Sequence, residues 1–178
     1  MKTIKIILFV SILFLASNCR SQTNKAELEV FSKNLGAYNL SNCDSSYFFL
    51  IEVQLINKSK TTFKFLAYSC LTCYNFLVDN DNVSIYGNFC SANSVSPIAI
   101  EPNQKLTIPL ILQVKKMYYL EITRIKIGFV YLSPSNFKGD NFRETIAELK
   151  MNRKNIIWSN AVLFQLPVDK QYKISQLN

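Results

Sequence analysis

The fold class is decided by residues 49–68, FLIEVQLINKSKTTFKFLAY. Apolar side chains occupy every second position of residues 49–55, and the polar Glu52 and Gln54 lie between them, which indicates a half-buried β-strand. The same alternation returns in residues 61–68, after a polar turn. We predict that the two strands form a β-hairpin, because odd-numbered residues that face odd-numbered ones direct both apolar sets into one core.

One register of this hairpin satisfies the rule and also pairs opposite charges. It places Val53 across from Phe63 and Glu52 across from Lys64. A cross-strand ion pair of this kind contributes roughly 0.2–1 kcal/mol, so it favours this register without determining it.

The same period of two recurs along the rest of the chain. Leu28 and Val30 predict a short edge strand, and the turn-forming residues 79–82 predict a second hairpin between short strands. The flanking and later strands are expected at 76–78, 83–86, 98–100, 105–114, 125–131 and 156–166. Residues 156–166 are apolar on both faces, as in a strand that is covered on both sides, and Trp158 is expected there as a core anchor.

One segment has helical instead of strand periodicity. Phe142, Ile146 and Leu149 recur at the spacing of an amphipathic helix, and Asn141 with Glu144 resembles a capping box. We predict one short helix near 142–150 within an all-β chain. The fold expected from this pattern is an antiparallel β-sandwich of immunoglobulin-like type.

The first 21 residues have the pattern of a secretory signal peptide. Lys2 and Lys5 precede an apolar run at 6–16, which is shorter than the roughly 20 residues that a membrane-spanning helix needs. The run is followed by a box that resembles a lipoprotein cleavage site and would leave Cys19 lipidated. Cleavage after Ser21 is the alternative. We therefore expect a single mature domain, residues 22–178, that is secreted or held at the outer cell envelope.

Four cysteines remain in the mature domain: Cys43, Cys70, Cys73 and Cys90. An exported protein meets oxidising conditions, so structural disulfides are the favoured interpretation. Extending the hairpin register brings Cys43 opposite Cys73, which leaves Cys70 for Cys90. Each bond would contribute about 3–4 kcal/mol in the chain-entropy model. A redox pair of Cys70 and Cys73, or a zinc site of all four, are the alternatives. The redox pair is disfavoured because the motif lies between two predicted strands and not at a helix N-terminus.

The composition excludes several classes of enzyme. The chain has no histidine, which removes Ser-His-Asp and Cys-His catalysis, and with four glycines it has no phosphate-binding loop. We expect no cofactor and no metal. Removal of the signal leaves 17 basic and 12 acidic residues, a net charge of +5. The basic residues form no patch, so nucleic acid is not an expected partner.

Between residues 51 and 112 the chain resembles immunoglobulin-like domains of secreted bacterial proteins. It is also weakly similar to the bacterial intracellular proteinase inhibitor domain. The matching segments are Asn57-Lys58-Ser59, Tyr74-Asn75-Phe76-Leu77-Val78-Asp79 and Glu101-Pro102-Asn103-Gln104. The resemblance implies a β-sandwich and, as a second possibility, protease inhibition.

The function expected from these observations is a non-catalytic binding or envelope-associated module. Its partner would be a protein or a glycan at the cell envelope, with membrane contact only through the lipid anchor. A protease inhibitor and a thiol-disulfide protein are the alternatives. The three tyrosines Tyr86, Tyr118 and Tyr119 are the one hint of a ligand surface, although such residues more often cover a strand edge.

Overall fold

The computed structural model describes residues 28–38, 45–69, 72–87, 94–139, 141–164 and 171–172. These residues form mainly antiparallel β-structure with one α-helix, as the sequence predicts. The strands are β1 Leu28–Tyr38, β2 Ser46–Asn57, β3 Phe63–Tyr68, β4 Phe76–Val78, β5 Val83–Tyr86, β6 Val95–Ile100, β7 Lys105–Lys115, β8 Arg124–Val130, β9 Ile156–Leu163 and β10 Gln171–Tyr172. The helix α1 spans Phe142–Met151, and 3-10 turns span Thr72–Asn75, Lys116–Glu121 and Pro134–Asn136.

The first layer is a five-stranded sheet in the order β10-β1-β2-β7-β5, in which β10 alone runs parallel to its neighbour. β1 is an 11-residue strand paired along most of its length with β2, where the sequence predicted a short edge strand. The strand was underestimated because the buried Ser32 and the half-buried Asn34 follow Leu28 and Val30 on the inward parity. Polar residues at those positions hide the period of two.

The predicted hairpin between β2 and β3 is wrong. β2 lies between β1 and β7, with Val53 opposite Ile108, whereas β3 pairs with β6, with Phe63 opposite Ile100. The two strands belong to different layers and meet across the core. The alternation of apolar residues requires only that the odd-numbered side chains of both strands point into the same core. Two strands in facing sheets meet this requirement as well as the two strands of a hairpin do.

A buried asparagine stabilises the crossing between these two layers. Asn57 is fully buried, and its Nδ2 donates to the carbonyl oxygens of Thr61 and Ile100, each at 2.8 Å. Its Oδ1 accepts from the Ser59 N–H at 3.0 Å. The polar residues after β2 therefore form an arch from one sheet to the other and not a tight β-turn.

The second predicted hairpin, around residues 79–82, is also wrong. β4 pairs with β8 in a three-stranded sheet of order β4-β8-β9, whereas β5 pairs with β7 in the first layer. The Asp79 carboxylate accepts from the Lys126 N–H at 2.7 Å, which holds the turn against β8. This turn, like the first, carries the chain from one layer to the other.

The second layer combines the pair β3-β6 with the sheet β4-β8-β9. Leu66 N–H donates to the Leu132 carbonyl at 2.9 Å, and the fully buried Asn75 donates through Nδ2 to the carbonyls of Leu66 and Val130, each at 3.0 Å. The inward residues of both layers form one continuous core. Its fully buried large members are Phe49, Phe65, Phe76, Phe129, Ile51, Leu55, Leu112, Ile125, Ile127, Val53 and Val114.

The helix covers the outer face of the second layer. Phe142 and Ile146 pack with Val130, Leu132 and other residues in a second apolar cluster, on which the half-buried Trp158 rests. The predicted helix is confirmed, and the Asn141 side chain accepts from the Glu144 N–H at its start, at 3.3 Å. The first half of β9 is thus covered on both faces, by the core and by α1, whereas Asn160, Ala161 and Leu163 in its second half are exposed, which differs from the expected strand covered throughout. In the part of the chain described, no helix is long and apolar enough to cross a membrane.

Candidate functional site

A cleft of about 390 Å³ opens where the two layers part at one edge of the molecule. One wall is β4, the last strand of the three-stranded sheet, and the other is β5, the last strand of the five-stranded sheet. The lining residues are Cys73, Tyr74, Phe76, Leu77, Val78, Val83, Ser84, Ile85, Gly87 and Lys150. An apolar concavity with a few convergent polar groups is the usual form of a ligand site.

The thiol of Cys73 lies in the wall of this cleft. Cys73 belongs to the 3-10 turn Thr72–Asn75 and is half-buried. A Cβ built on Gly87 would lie 3.6 Å from the Cys73 Sγ, so the absence of a side chain at Gly87 leaves this side of the thiol open. Burial raises the pKa of the Cys73 thiol above its ordinary value, and the nearby Lys150 charge opposes the rise.

Lys150 enters the cleft from the last turn of α1. Burial lowers the pKa of its amine to about 8, against an ordinary value of 10.5, while the interaction with Cys73 acts in the opposite direction. No ion pair to Lys150 exists among the residues that the structure describes. The amine of the half-buried Lys150 is thus partly shielded from water and has no counter-ion among the described residues.

Aromatic contacts fix the position of α1 relative to the cleft. The Arg143 guanidinium donates to the Tyr74 hydroxyl at 2.9 Å and lies 5.3 Å from the centre of the Tyr74 ring. Tyr68 contacts both Tyr74 and Phe142 edge to face, with ring centroids 5.1 and 5.0 Å apart. These contacts bring the C-terminal turn of the helix, and with it Lys150, next to the 3-10 turn that carries Cys73.

Of the five cysteines that were predicted as site residues, only Cys73 belongs to the described part of the chain. Cys19, Cys43, Cys70 and Cys90 lie outside the described residues, and Cys73 has no disulfide partner among the residues that are described. The Cys43–Cys73 pairing was inferred from the β2–β3 hairpin, and that argument no longer holds because these strands belong to different layers. Both disulfides stay predictions.

The Cys70–Cys73 motif differs from its predicted setting. The motif was expected between two strands, and β4 does begin at Phe76, but residues 72–75 form a 3-10 turn. A redox pair depends on a lowered thiol pKa at its first cysteine, Cys70, which lies outside the described residues. The thiol-disulfide alternative therefore stays a prediction.

The three tyrosines do not form one exposed surface. Tyr119 is buried in the main core, where it stacks on Phe49 with ring centroids 5.8 Å apart. The half-buried Tyr86 instead packs on Phe48 at 5.3 Å, in a separate apolar cluster. Tyr118 is half-buried against the core. The favoured interpretation, that such residues cover strands, therefore describes all three better than a ligand surface does.

Lys150 was not among the predicted site residues, although its position in the sequence indicates that it is partly buried. Lys150 follows Phe142 and Ile146 at steps of four, so it shares the apolar face of the helix. A lysine on such a face has either an apolar stem that lies along the protein or a buried charge. No cluster of three or more residues suited to a metal ion occurs among the described residues.

The comparisons with known proteins leave the function open. No protein-family model matches the chain, and no curated protein matches it. Among solved structures, the chain is similar to the FixG-related protein from Vibrio parahaemolyticus, at 15% identity and a TM-score of 0.40. The match covers 79% of this chain and 98% of that one.

Proposed function

We propose that this chain is an exported, non-catalytic binding module with an immunoglobulin-like β-sandwich, and that it binds its ligand in the cleft between β4 and β5. The observation that carries the proposal is the cleft of about 390 Å³, which combines an apolar floor with the Lys150 amine. The partner would be a protein or a glycan at the cell envelope. Two antiparallel layers that share one core support the sandwich.

The chemistry of the cleft supports binding over catalysis. Its ionisable groups are Cys73, Tyr74 and Lys150. Burial raises the pKa of the thiol, which keeps it protonated and weakly nucleophilic near neutral pH. The chain has no histidine that could take its proton. These groups are therefore suited to fixing the orientation of a ligand.

Export rests on the N-terminal segment and is tested by the mass of the mature protein. Cells that produce the full chain would yield either a species lipidated on Cys19 or one that begins at Gln22. An unprocessed chain in the cytoplasm would contradict the export part of the proposal. The mature species is the correct material for every binding experiment.

The binding part is tested by site-specific crosslinking in intact envelope. Ser84 is exposed and lines the cleft, and Ser135 is exposed on a distant 3-10 turn. Each is replaced in turn by the photoreactive residue p-benzoylphenylalanine. We expect a discrete crosslinked product from position 84 and none from position 135. Absence of any product at 84, or equal products at both positions, would count against the cleft as the binding site.

A further inference from the structure

The edge strands of the sheets differ in how well they are protected against the addition of a further strand. At β1, the Asn160 side chain occupies the backbone groups of Ser32. At β6, the exposed Pro97 removes one N–H from the strand. Proline and covered backbone groups are common means by which proteins prevent strand addition.

The two strands that border the cleft lack such protection. The sequences of β4 and β5, FLV and VSIY, contain neither proline nor a charged residue. Each pairs on one side only, β4 with β8 and β5 with β7, within the part of the chain that the structure describes. Unpaired edges of this kind accept a further strand.

The hydrogen bonding of β5 shows which of its residues face away from β7. Val83 N–H donates to the Asn80 carbonyl at 3.2 Å and so takes part in the turn. In an antiparallel ladder, bonded and non-bonded positions alternate. Ile85, two residues further on, therefore directs its N–H and C=O away from β7, whereas Ser84 bonds to β7.

The charge in the cleft indicates the chemistry of the missing partner. Lys150 is the one charged side chain among the lining residues, and it has no acidic partner among the described residues. A cation removed from water is unfavourable until an anion pairs with it. A carboxylate on the ligand would supply that pair.

We propose that the cleft binds an extended, carboxylate-bearing polypeptide segment, which adds to β5 as a sixth strand. Its backbone bonds to Ile85, an apolar side chain enters the cleft, and a carboxylate pairs with Lys150. β5 has four residues, which at about 3.4 Å per residue define a site for four or five ligand residues. This inference rests on the proposed function and names the ligand class for the same site.

Three synthetic peptides test the proposal by calorimetric titration of the mature protein. The first is a capped heptapeptide of alternating valine and threonine with one glutamate near its C-terminus. The second has glutamine in place of glutamate, and the third has alternate backbone amides methylated. We expect the glutamate peptide to bind about tenfold more tightly than the glutamine peptide, and the methylated peptide not to bind.

Protein variants separate the contribution of the charge from that of the strand edge. Lys150→Met should abolish the difference between the glutamate and glutamine peptides, whereas Lys154→Met, at an exposed position outside the cleft, should preserve it. Ile85→Pro should abolish binding of every peptide, because it removes the free N–H without removing a bond to β7. Circular dichroism and thermal melting establish that each variant is folded.

The outcomes are distinct. Equal binding of the methylated peptide, or no binding of any peptide, would overturn strand addition. Equal affinity for glutamate and glutamine would overturn the role of the carboxylate. If either occurs while crosslinking at Ser84 persists, the cleft remains a binding site but takes a different class of ligand. If no peptide binds and position 84 also gives no crosslinked product, the proposed function is overturned as well.

Discussion

The side-chain amide of Asn160 bonds to both backbone groups of Ser32. The Oδ1 accepts from the Ser32 N–H at 2.7 Å, and the Nδ2 donates to the Ser32 carbonyl at 3.0 Å. A second asparagine, Asn34, donates to the Leu163 carbonyl at 3.1 Å. These contacts join β1 of the first layer to β9 of the second. At this side of the molecule, side-chain amides therefore supply hydrogen bonds between the two layers.

Replacement of Asn160 by alanine should destabilise the protein by about 1–3 kcal/mol, because the backbone groups of the buried Ser32 lose their partner. Denaturant unfolding measures the change. Asn136→Ala, at an exposed position, is the matched control and should alter the free energy of unfolding by about 0.5 kcal/mol or less. Equal losses in the two variants would show that the amide contacts do not stabilise the fold.

Asn75 should tolerate substitution even less. Its Nδ2 joins β3 to β8 through the carbonyls of Leu66 and Val130, and it is fully buried. Asn75→Asp places a carboxylate against two carbonyl oxygens, and we expect a loss of about 3–5 kcal/mol or a failure to fold. Asn75→Leu removes the donors without adding a charge and should lose less, about 2–3 kcal/mol. A smaller loss for aspartate than for leucine would contradict this account.

The fold class was predictable because apolar alternation depends only on which face of a strand is buried. Residues 105–114 alternate clearly, and they lie in β7 with one face in the core. The pairing of strands was not predictable by the same argument. β2 and β3 share a parity because they face one interior, and parity does not distinguish a hairpin from two facing layers. The buried amide of Asn57 stabilises the arch between the layers, but in the sequence an asparagine at this position indicates only a turn.

Most of the candidate site could not be predicted from the sequence, because the elements that form it are far apart along the chain. Cys73, Gly87 and Lys150 meet only when the 3-10 turn, the end of β5 and the end of α1 come together. Cys73 was noted in the sequence for its spacing from Cys70, and that spacing does not indicate that Lys150 lies beside it. Lys150 carried a local signal, its place on an apolar helix face, but no sequence pattern indicates what covers that face.

Two glycines should respond oppositely to replacement by alanine. A Cβ on Gly128 would lie 2.7 Å from Leu77 and 2.8 Å from Ile156, and the flanking strands hold both neighbours in place. We expect Gly128→Ala to lose about 1–3 kcal/mol of stability. Gly87→Ala meets only the Cys73 sulfur at an ordinary 3.6 Å and should be neutral or slightly stabilising. Thermal unfolding of both variants measures the contrast, and equal melting temperatures would contradict it.

The Cys73–Lys150 pair should give the reduced protein an unusual dependence of stability on pH. The folded-state pKa of Lys150 is about 8, against 10.5 ordinarily, so between these values the unfolded chain binds more protons. Stability therefore rises with pH in this window, by at most about 1.4 kcal/mol per pH unit and less where solvent screens the amine. Near and above pH 9 the unfolded thiol loses its proton more readily than the folded Cys73, whose pKa is raised, and this contribution has the opposite sign.

The two contributions oppose each other above pH 9, so the free energy of unfolding should rise by roughly 1 kcal/mol between pH 8 and 9 and less steeply above that. Denaturant unfolding in reducing buffer at intervals of half a pH unit measures the profile. Lys150→Met should remove the rise, whereas Cys73→Ser should extend it toward pH 10.5, the ordinary pKa of lysine. The exposed Lys154→Met is the control and should retain the wild-type profile. A wild-type profile that is flat between pH 8 and 9 would show that the Lys150 amine remains hydrated, and the argument for an anionic ligand would lose its basis.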